Sequence, residues 1–245
     1  MKIDVMNRER IVTAEMLDRL PPAVQRYLTF TGVVGKPWID TVHVKYTGQF
    51  RMAADRPWMP LQADQVYTTN PPGFQWKAHM TMAGLPLFYG EDTYRDGQGH
   101  MFGKLTPLVT LFDARDEKLL QGSMIRYLQE MTWFPIIYLS DYITWQAVDD
   151  HAADVTFTDH GKSVSARLYF DDEGRLLTFI APRYREDHGS YTLDPWVTPV
   201  AQYGALAGLN LPVAGWAVWQ LRDSDLPYFK VQLTELVYNQ PIWAF

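Results

Sequence analysis

The 245-residue sequence contains no cysteine. This absence excludes disulfide bonds, thiolate metal ligands and cysteine nucleophiles, and it fits a reducing compartment. The first twenty residues, MKIDVMNRERIVTAEMLDRL, also lack the apolar run that a signal peptide or a membrane span requires. From the sequence alone we therefore expect a soluble cytoplasmic protein without a transmembrane segment.

Positive charge is also scarce. Lys and Arg number 22 against 28 Asp and Glu, which gives a net charge of −6, and no run of basic residues occurs. A nucleic-acid binder needs a basic stripe to displace counterions from phosphates. We therefore expect no nucleic-acid partner.

Recognisable catalytic and cofactor motifs are missing as well. The sequence has no Gly-x-Ser-x-Gly elbow, no phosphate-binding loop and no His-Glu-x-x-His pair, and its six histidines are scattered. Neighbouring carboxylates, such as Glu91 and Asp92, point to opposite faces of a strand. We expect no cofactor, no metal site and no paired-carboxylate active site.

Aromatic residues are abundant, with nine Trp, fourteen Tyr and twelve Phe. In a sheet protein such side chains favour half-buried, pleated surfaces and form a large core. An apolar cavity would explain the same composition. Composition by itself leaves both explanations open.

Most of the chain alternates apolar and polar residues with a period of two. In GFQWKAHMTM, for example, Phe74, Trp76, Ala78 and Met80 fall on one face. Asp and Gly separate such stretches, as at Asp96-Gly97, where turn chemistry predicts a hairpin. The pattern predicts about five antiparallel strands before a central helix and about eleven in all.

The central helix is expected from Ser123 to Phe134. Apolar residues recur there at helical spacing, Ser123 can cap the start, and Pro135 cannot donate the next backbone hydrogen bond. A shorter helical lead-in, broken at Pro21-Pro22, precedes the strands. The late stretch LPVAGWAVWQL is apolar on both faces, which predicts a strand covered on both sides.

Together these patterns predict an α+β fold. A strongly curved antiparallel sheet, or incomplete β-barrel, of about eleven strands would wrap around the central helix. We expect a single domain over 1–245, because no linker or repeat divides the chain. Its parts are an N-terminal helical lead-in (1–40), a first meander (41–112), the central helix (113–138) and a second meander (139–245).

The central helix carries the nearest approach to a functional constellation. Arg126, Glu130 and Trp133 lie at i, i+4 and i+7 on one stripe. An ordinary helix ion pair explains Arg126 and Glu130. Alternatively, both lie at the mouth of a cavity and fix the polar end of a ligand. The complete set of expected ligand-binding residues is Trp58, Trp76, Arg126, Glu130, Trp133, Arg183, Tyr184 and Trp219.

Several motifs together resemble an uncharacterised bacterial family of unknown function. They are LPPAVQRYL (20–28), RPWMP (56–60), PPGFQW (71–76), RYLQEMTWFP (126–135) and DDEGR (171–175). The order of strands, helix and further strands, with GLNLP (208–212) opening a late strand, is also similar to the lipoprotein-carrier fold. That looser resemblance implies an incomplete barrel whose apolar hollow carries acyl chains.

Three functional hypotheses follow. The first is non-catalytic binding or carriage of an apolar or amphipathic, lipid-like small molecule in the concave side of the sheet. The second is an enzyme in which Glu130 acts as general acid or base while Arg126 holds an anionic substrate. The third is a structural or interaction module with an apolar patch outside the barrel.

Overall fold

The computed structural model describes residues 10–82, 84–105, 109–187 and 189–241. In this part of the chain, thirteen strands form one open antiparallel sheet, and two α-helices accompany it. The helices are α1 (Pro22–Thr31) and α2 (Glu117–Glu130). The strands are β1 (Thr41–Phe50), β2 (Met59–Thr69), β3 (Pro72–Met82), β4 (Leu85–Arg95), β5 (Gln98–Leu105), β6 (Val109–Ala114), β7 (Ile143–Asp149), β8 (Ala152–Asp159), β9 (Lys162–Phe170), β10 (Leu176–Asp187), β11 (Ser190–Leu206), β12 (Leu209–Gln220) and β13 (Asp225–Tyr238).

The sheet consists of two meanders joined at the middle. Its strand order is β6-β5-β4-β3-β2-β1-β13-β12-β11-β10-β9-β8-β7. We call β1–β6 the first arm and β7–β13 the second arm. The arms meet where β1 pairs with β13, and β6 and β7 are the two outer edges. Because α2 lies between β6 and β7 in sequence, it connects the edges and packs against β4 and β5 of one arm and β9 and β10 of the other.

The expected curved antiparallel sheet around a central helix is therefore present, but the sheet has thirteen strands rather than about eleven. One strand that the pattern did not predict is β6. Its sequence, VTLFDA, lacks a clean alternation, and most of its side chains are exposed. An edge strand has a neighbour on one side only, so its sequence carries a weaker burial signal.

Tight hairpins connect several strands. At Asp96-Gly97 and again at His160-Gly161, both turn residues have positive φ angles, between 48° and 73°. This geometry matches the natural twist of the paired strands. The predicted hairpin at Asp96-Gly97 is confirmed.

The start of α2 differs from the expectation. The helix begins at Glu117, six residues before Ser123, because the Asp116 side chain accepts hydrogen bonds from the amides of Lys118 and Leu119. Gly122 and Ser123, the expected cap, both lie inside the helix. Beyond Glu130 the chain continues as short 3₁₀ turns, Met131–Trp133 and Pro135–Leu139.

Helix α1 confirms the second part of the N-terminal lead-in. Pro22 occupies its first turn, and Gly32 ends it in the left-handed conformation with φ of 76°. Residues 1–9 of the lead-in lie outside the described residues. Both α1 and the turn Met131–Trp133 pack against β12, as the two-sided apolar pattern of that strand predicted. None of the described helices is long and apolar enough to cross a membrane.

The packed core lies where α2 meets both arms. The Tyr127 ring of α2 contacts Tyr67 and Tyr94 of the first arm and Phe157 of the second, with centroids 5.3–6.3 Å apart. Aromatic pairs at this separation add to the free energy of area burial. Part of the aromatic content thus forms a core that holds the two arms on one helix.

Candidate ligand-binding cavity

A cavity of about 850 Å³ lies on the concave side of the sheet, between α2 and the two arms. Its walls are mostly apolar side chains of β3–β6 and of β11–β13. Exposed residues, such as Met52 and Leu111, are part of the lining, so the cavity opens to solvent. The apolar lining includes Met59, Trp76, Met80, Phe88, Met101, Phe102, Leu105, Phe112, Val200, Val213, Ala217, Phe229 and Val231.

The polar part of the wall is an ion cluster centred on Arg126. Its Nη1 atom donates to Asp92 Oδ2 at 3.0 Å, and its Nε atom donates to Glu130 Oε1 at 2.9 Å. Its Nη2 atom donates to Gln65 Oε1 at 3.1 Å, and Gln65 Nε2 in turn donates to Glu130 Oε2 at 2.8 Å. The guanidinium also lies 4.8 Å from the centre of the Trp76 ring. We call Asp92, Arg126, Glu130 and Gln65 the Arg126 cluster.

Burial removes the charged groups of the Arg126 cluster from water, which costs free energy. The side chains of Asp92 and Glu130 are 2% and 6% exposed, and that of Arg126 is 13% exposed. Desolvation raises the pKa of both carboxyl groups, and the neighbouring Arg126 charge only partly offsets it. One guanidinium thus serves two buried carboxylates, and α2 is fixed to β4 and β2 by charged hydrogen bonds.

A second guanidinium, that of Arg183 on β10, lines the same cavity. It lies 4.6 Å from the Trp196 ring centre and 5.8 Å from that of Trp219. Its Nη1 atom donates to the Tyr228 hydroxyl at 3.4 Å, and Trp196 Nε1 donates to the same hydroxyl at 2.9 Å. Aromatic faces therefore hold this guanidinium in a defined orientation.

The residues expected from the sequence to bind a ligand fall into two groups. The cavity brings together Trp76, Arg126, Glu130, Trp133 and Arg183. The remaining three, Trp58, Tyr184 and Trp219, are not among the described lining residues. The Trp58 ring contacts Trp216 edge-to-face.

Tyr184 and Trp219 also have other neighbours. The Tyr184 ring packs edge-to-face on Tyr191 beside the Lys118 ammonium group. The Trp219 ring is stacked on that of Tyr228, which does line the cavity. Trp219 therefore lies behind the cavity wall and supports the lining residue Tyr228.

Sequence reasoning missed Asp92 and Gln65. Asp92 had been set aside with Glu91 because adjacent strand residues point to opposite faces, and they do. Glu91 accepts hydrogen bonds from Gln75 and Tyr89, whereas Asp92 is 1% exposed and faces α2. The period of two would have placed Asp92 on the same face as the apolar Tyr94.

Fold and cavity together define a class: an open half-barrel of antiparallel strands, closed on its concave side by a helix and hollow between helix and sheet. The chain belongs to DUF6544, a family of unknown function, which matches residues 10–231. The uncharacterised family expected from the sequence motifs is thus confirmed. Comparison with curated proteins gave no match.

Solved structures with a similar fold have very different sequences. A DUF1329 family protein from Desulfovibrio piger has a TM-score of 0.50 at 8% identity, with 96% of each chain covered. A LolA superfamily protein from Nitrosomonas europaea has a TM-score of 0.48 at 10% identity, with 94% of this chain and 96% of the other covered. Because the sequence identity to the first structure is only 8%, the comparison shows a shared fold and carries no information about function.

Proposed function

We propose that this protein binds an apolar or amphipathic, lipid-like small molecule in the concave cavity and carries it without chemical change. The observation that carries the proposal is the cavity itself. Its volume of about 850 Å³ falls within the range of small-molecule sites, roughly 300–1,000 Å³. Its wall is apolar apart from a few grouped polar residues, which is the composition typical of such sites.

The energetics of the cavity favour an occupant. Lining side chains such as Met101 and Phe112 are partly exposed to the open space of the cavity, where they have fewer packing contacts than core residues. An apolar chain between the arms would supply these contacts and remove the lining from water. Methionine suits this role because its flexible, polarisable side chain adapts to ligands of different shape.

The direct test is native mass spectrometry of the purified protein, followed by solvent extraction of anything bound. A co-purifying apolar compound of defined mass is the expected result. Binding is then measured with N-phenyl-1-naphthylamine, a neutral dye that fluoresces in apolar sites. Saturable binding with one dye per chain is expected, and absence of any bound compound together with absence of dye binding would contradict the proposal.

A matched pair of variants locates the dye. Ala217 lines the cavity and is 7% exposed, so Ala217→Phe should fill part of the space and weaken dye binding. Ala147 is exposed on the edge strand β7, and Ala147→Phe should leave dye binding unchanged. Equal binding by both variants would place the dye elsewhere on the protein. Urea denaturation of each variant checks that it remains folded.

The enzyme hypothesis is a second candidate, because burial raises the pKa of Glu130 and Glu130 lines the cavity. Both of its carboxylate oxygens, however, accept hydrogen bonds from Arg126 and Gln65. A general acid or base has to exchange one of these bonds for the substrate. Incubation of the protein with the identified compound before a second extraction separates the hypotheses, since a carrier returns its ligand unaltered and an enzyme converts it.

A further inference from the structure

The apolar wall of the cavity accounts for the apolar part of the proposed ligand, and the polar groups of the wall indicate what its head group is. Of the two guanidinium groups in the cavity, that of Arg126 has four of its five N–H donors engaged, one of them with the Tyr46 hydroxyl at 3.4 Å. Its Nε, Nη1 and Nη2 atoms all donate to Glu130, Asp92 and Gln65. A bidentate contact between Arg126 and an acid group would break at least one of these buried bonds, which is costly.

Arg183 has donors to spare. Among the described residues, no carboxylate oxygen forms an ion pair with it, and its hydrogen bond to the Tyr228 hydroxyl uses one donor. A guanidinium has five N–H donors in a planar fork. Two residues further along β10, Arg185 is different, because it pairs with Asp194 at 2.9 Å and with Asp187 at 3.1 Å.

The position of Arg183 is fixed from three sides. The rings of Trp196 and Trp219 lie 4.6 and 5.8 Å from its guanidinium carbon. On the helix side it lies against Gly122, where an added Cβ would be 3.3 Å from Nε. The missing side chain at Gly122 thus leaves room for this guanidinium beside α2. A planar fork that is already oriented loses little entropy when it binds an acid group.

Three carboxylates line the cavity together with Arg183, namely Asp92, Glu130 and Glu186. Glu186 is exposed, so solvent screens its charge, and its Oε1 atom accepts a hydrogen bond from the Gly189 amide at 3.2 Å. Asp92 is close enough for Arg183 to lower its pKa, but its oxygens are taken by Arg126 and Ser123. Arg126 and Arg183 together balance the charges of Asp92 and Glu130. The apolar walls exclude water, which strengthens a charged hydrogen bond inside the cavity.

From this geometry we infer that the ligand is an amphiphile with an acidic head group, and that Arg183 binds this head group while the chain lies along the methionines and phenylalanines. The inference rests on the proposed function, and it adds the charge of the ligand and the residue that recognises it. A carboxylate and a phosphate monoester share the chemistry that a guanidinium fork recognises.

The test compares ligands with the same chain and different head groups. Dodecanoate, dodecyl phosphate and 1-dodecanol each displace N-phenyl-1-naphthylamine from the full-length protein at pH 8. We expect at least one of the two acids to bind about 10-fold more tightly than the alcohol, since a hydrogen bond to a charged group is worth about one tenfold step or more. Comparing the two acids tells a carboxylate from a phosphate head group.

The variant Arg183→Gln should lose about 10-fold in affinity for the preferred acid and keep its affinity for 1-dodecanol. Arg185→Gln is the matched control, because it makes the same charge change on the same strand at a guanidinium that already has carboxylate partners. It should alter neither affinity. A similar loss for acid and alcohol in Arg183→Gln would overturn the role of Arg183.

The outcomes separate the two proposals. If 1-dodecanol displaces the dye as well as either acid does from the wild-type protein, the acidic head group is wrong and the carrier proposal stands. If none of the three displaces it, both are wrong. A measurement without a variant covers the case in which Arg183→Gln does not fold. The side-chain N–H resonances of Arg183 should then shift when the preferred acid binds and stay unchanged when 1-dodecanol binds, and equal shifts with the two ligands would contradict pairing with Arg183.

Discussion

Tyr94 of the first arm donates a hydrogen bond to Asp159 of the second arm, with 2.5 Å between the two oxygen atoms. Asp159 is 6% exposed and also contacts His160 at 3.0 Å. The two residues are separated by 65 positions in the chain, and their strands, β4 and β8, do not pair in the sheet. This bond therefore joins the two arms directly, without the help of α2.

Removing the Tyr94 hydroxyl should weaken this junction. Tyr94→Phe leaves a buried carboxylate with one partner fewer, which should lower the free energy of unfolding by about 1–3 kcal/mol. Urea denaturation measures the change. Tyr89→Phe is the control, because Tyr89 lies on the same strand and bonds to Glu91 within the same arm. If the two substitutions lowered the free energy of unfolding equally, the bond between the arms would contribute no more to stability than a bond within one arm.

Arg126→Met should be among the most destabilising substitutions in the protein. It leaves Asp92 and Glu130 buried without their counterion, at a cost of about 3–5 kcal/mol. The triple variant with Asp92→Asn and Glu130→Gln should recover most of this loss, because it removes the uncompensated charges. Arg167→Gln, which breaks the exposed pair with Asp154, should change stability little. Failure of the triple variant to recover would argue that packing, rather than charge, makes Arg126 important.

Stability should depend on pH through Asp92. Burial raises its pKa above the usual 3.8, so the folded protein binds this proton more tightly than the unfolded chain does. The stabilising contribution of the protonated group is complete below the usual pKa, and it disappears as the pH rises through the folded-state pKa. The free energy of unfolding of the wild type minus that of Asp92→Asn should therefore decrease as the pH rises from about 4 through the raised pKa.

The control for this pH series is Asp171→Asn. Hydrogen bonds from Arg175 outweigh burial and lower the pKa of Asp171 below 3.8. Its contribution is thus constant above about pH 4 and decreases only in more acidic solution. The Asp171→Asn difference should be flat over the range in which the Asp92→Asn difference falls. Two flat profiles would show that Asp92 titrates normally.

Two glycines beside α2 should respond oppositely to alanine. At Gly99 of β5, an added Cβ would lie 3.0 Å from Ser123 Oγ and 3.1 Å from the Leu120 Cα. The helix would have to move, so Gly99→Ala should cost about 1–3 kcal/mol in the free energy of unfolding. At Gly122 the nearest atom belongs to the Arg183 side chain, and alanine improves helix propensity by up to about 1 kcal/mol. Thermal unfolding of both variants shows whether each substitution stabilises or destabilises the protein. Destabilisation by Gly122→Ala would indicate that the Arg183 side chain cannot move away from the added methyl group.

The local signals in the sequence determined the secondary structure well. The period of two from Thr41 onward and the turn at Asp96-Gly97 gave the meander, while Pro22 and Gly32 bounded α1. The helical spacing of Arg126, Glu130 and Trp133 indicated the side of α2 and of the following 3₁₀ turn that faces the cavity. These features depend on residues close in sequence, and local propensity and periodicity encode them.

Only the tertiary structure decided which distant residues meet. The partners of Arg126 on the sheet come from β2 and β4, and the arms are joined by Tyr94 and Asp159. The division of the aromatic residues between a packed core and a cavity likewise follows from the curvature of the sheet. Curvature and the approach of the two arms arise from many weak long-range contacts, so no single stretch of sequence contains them.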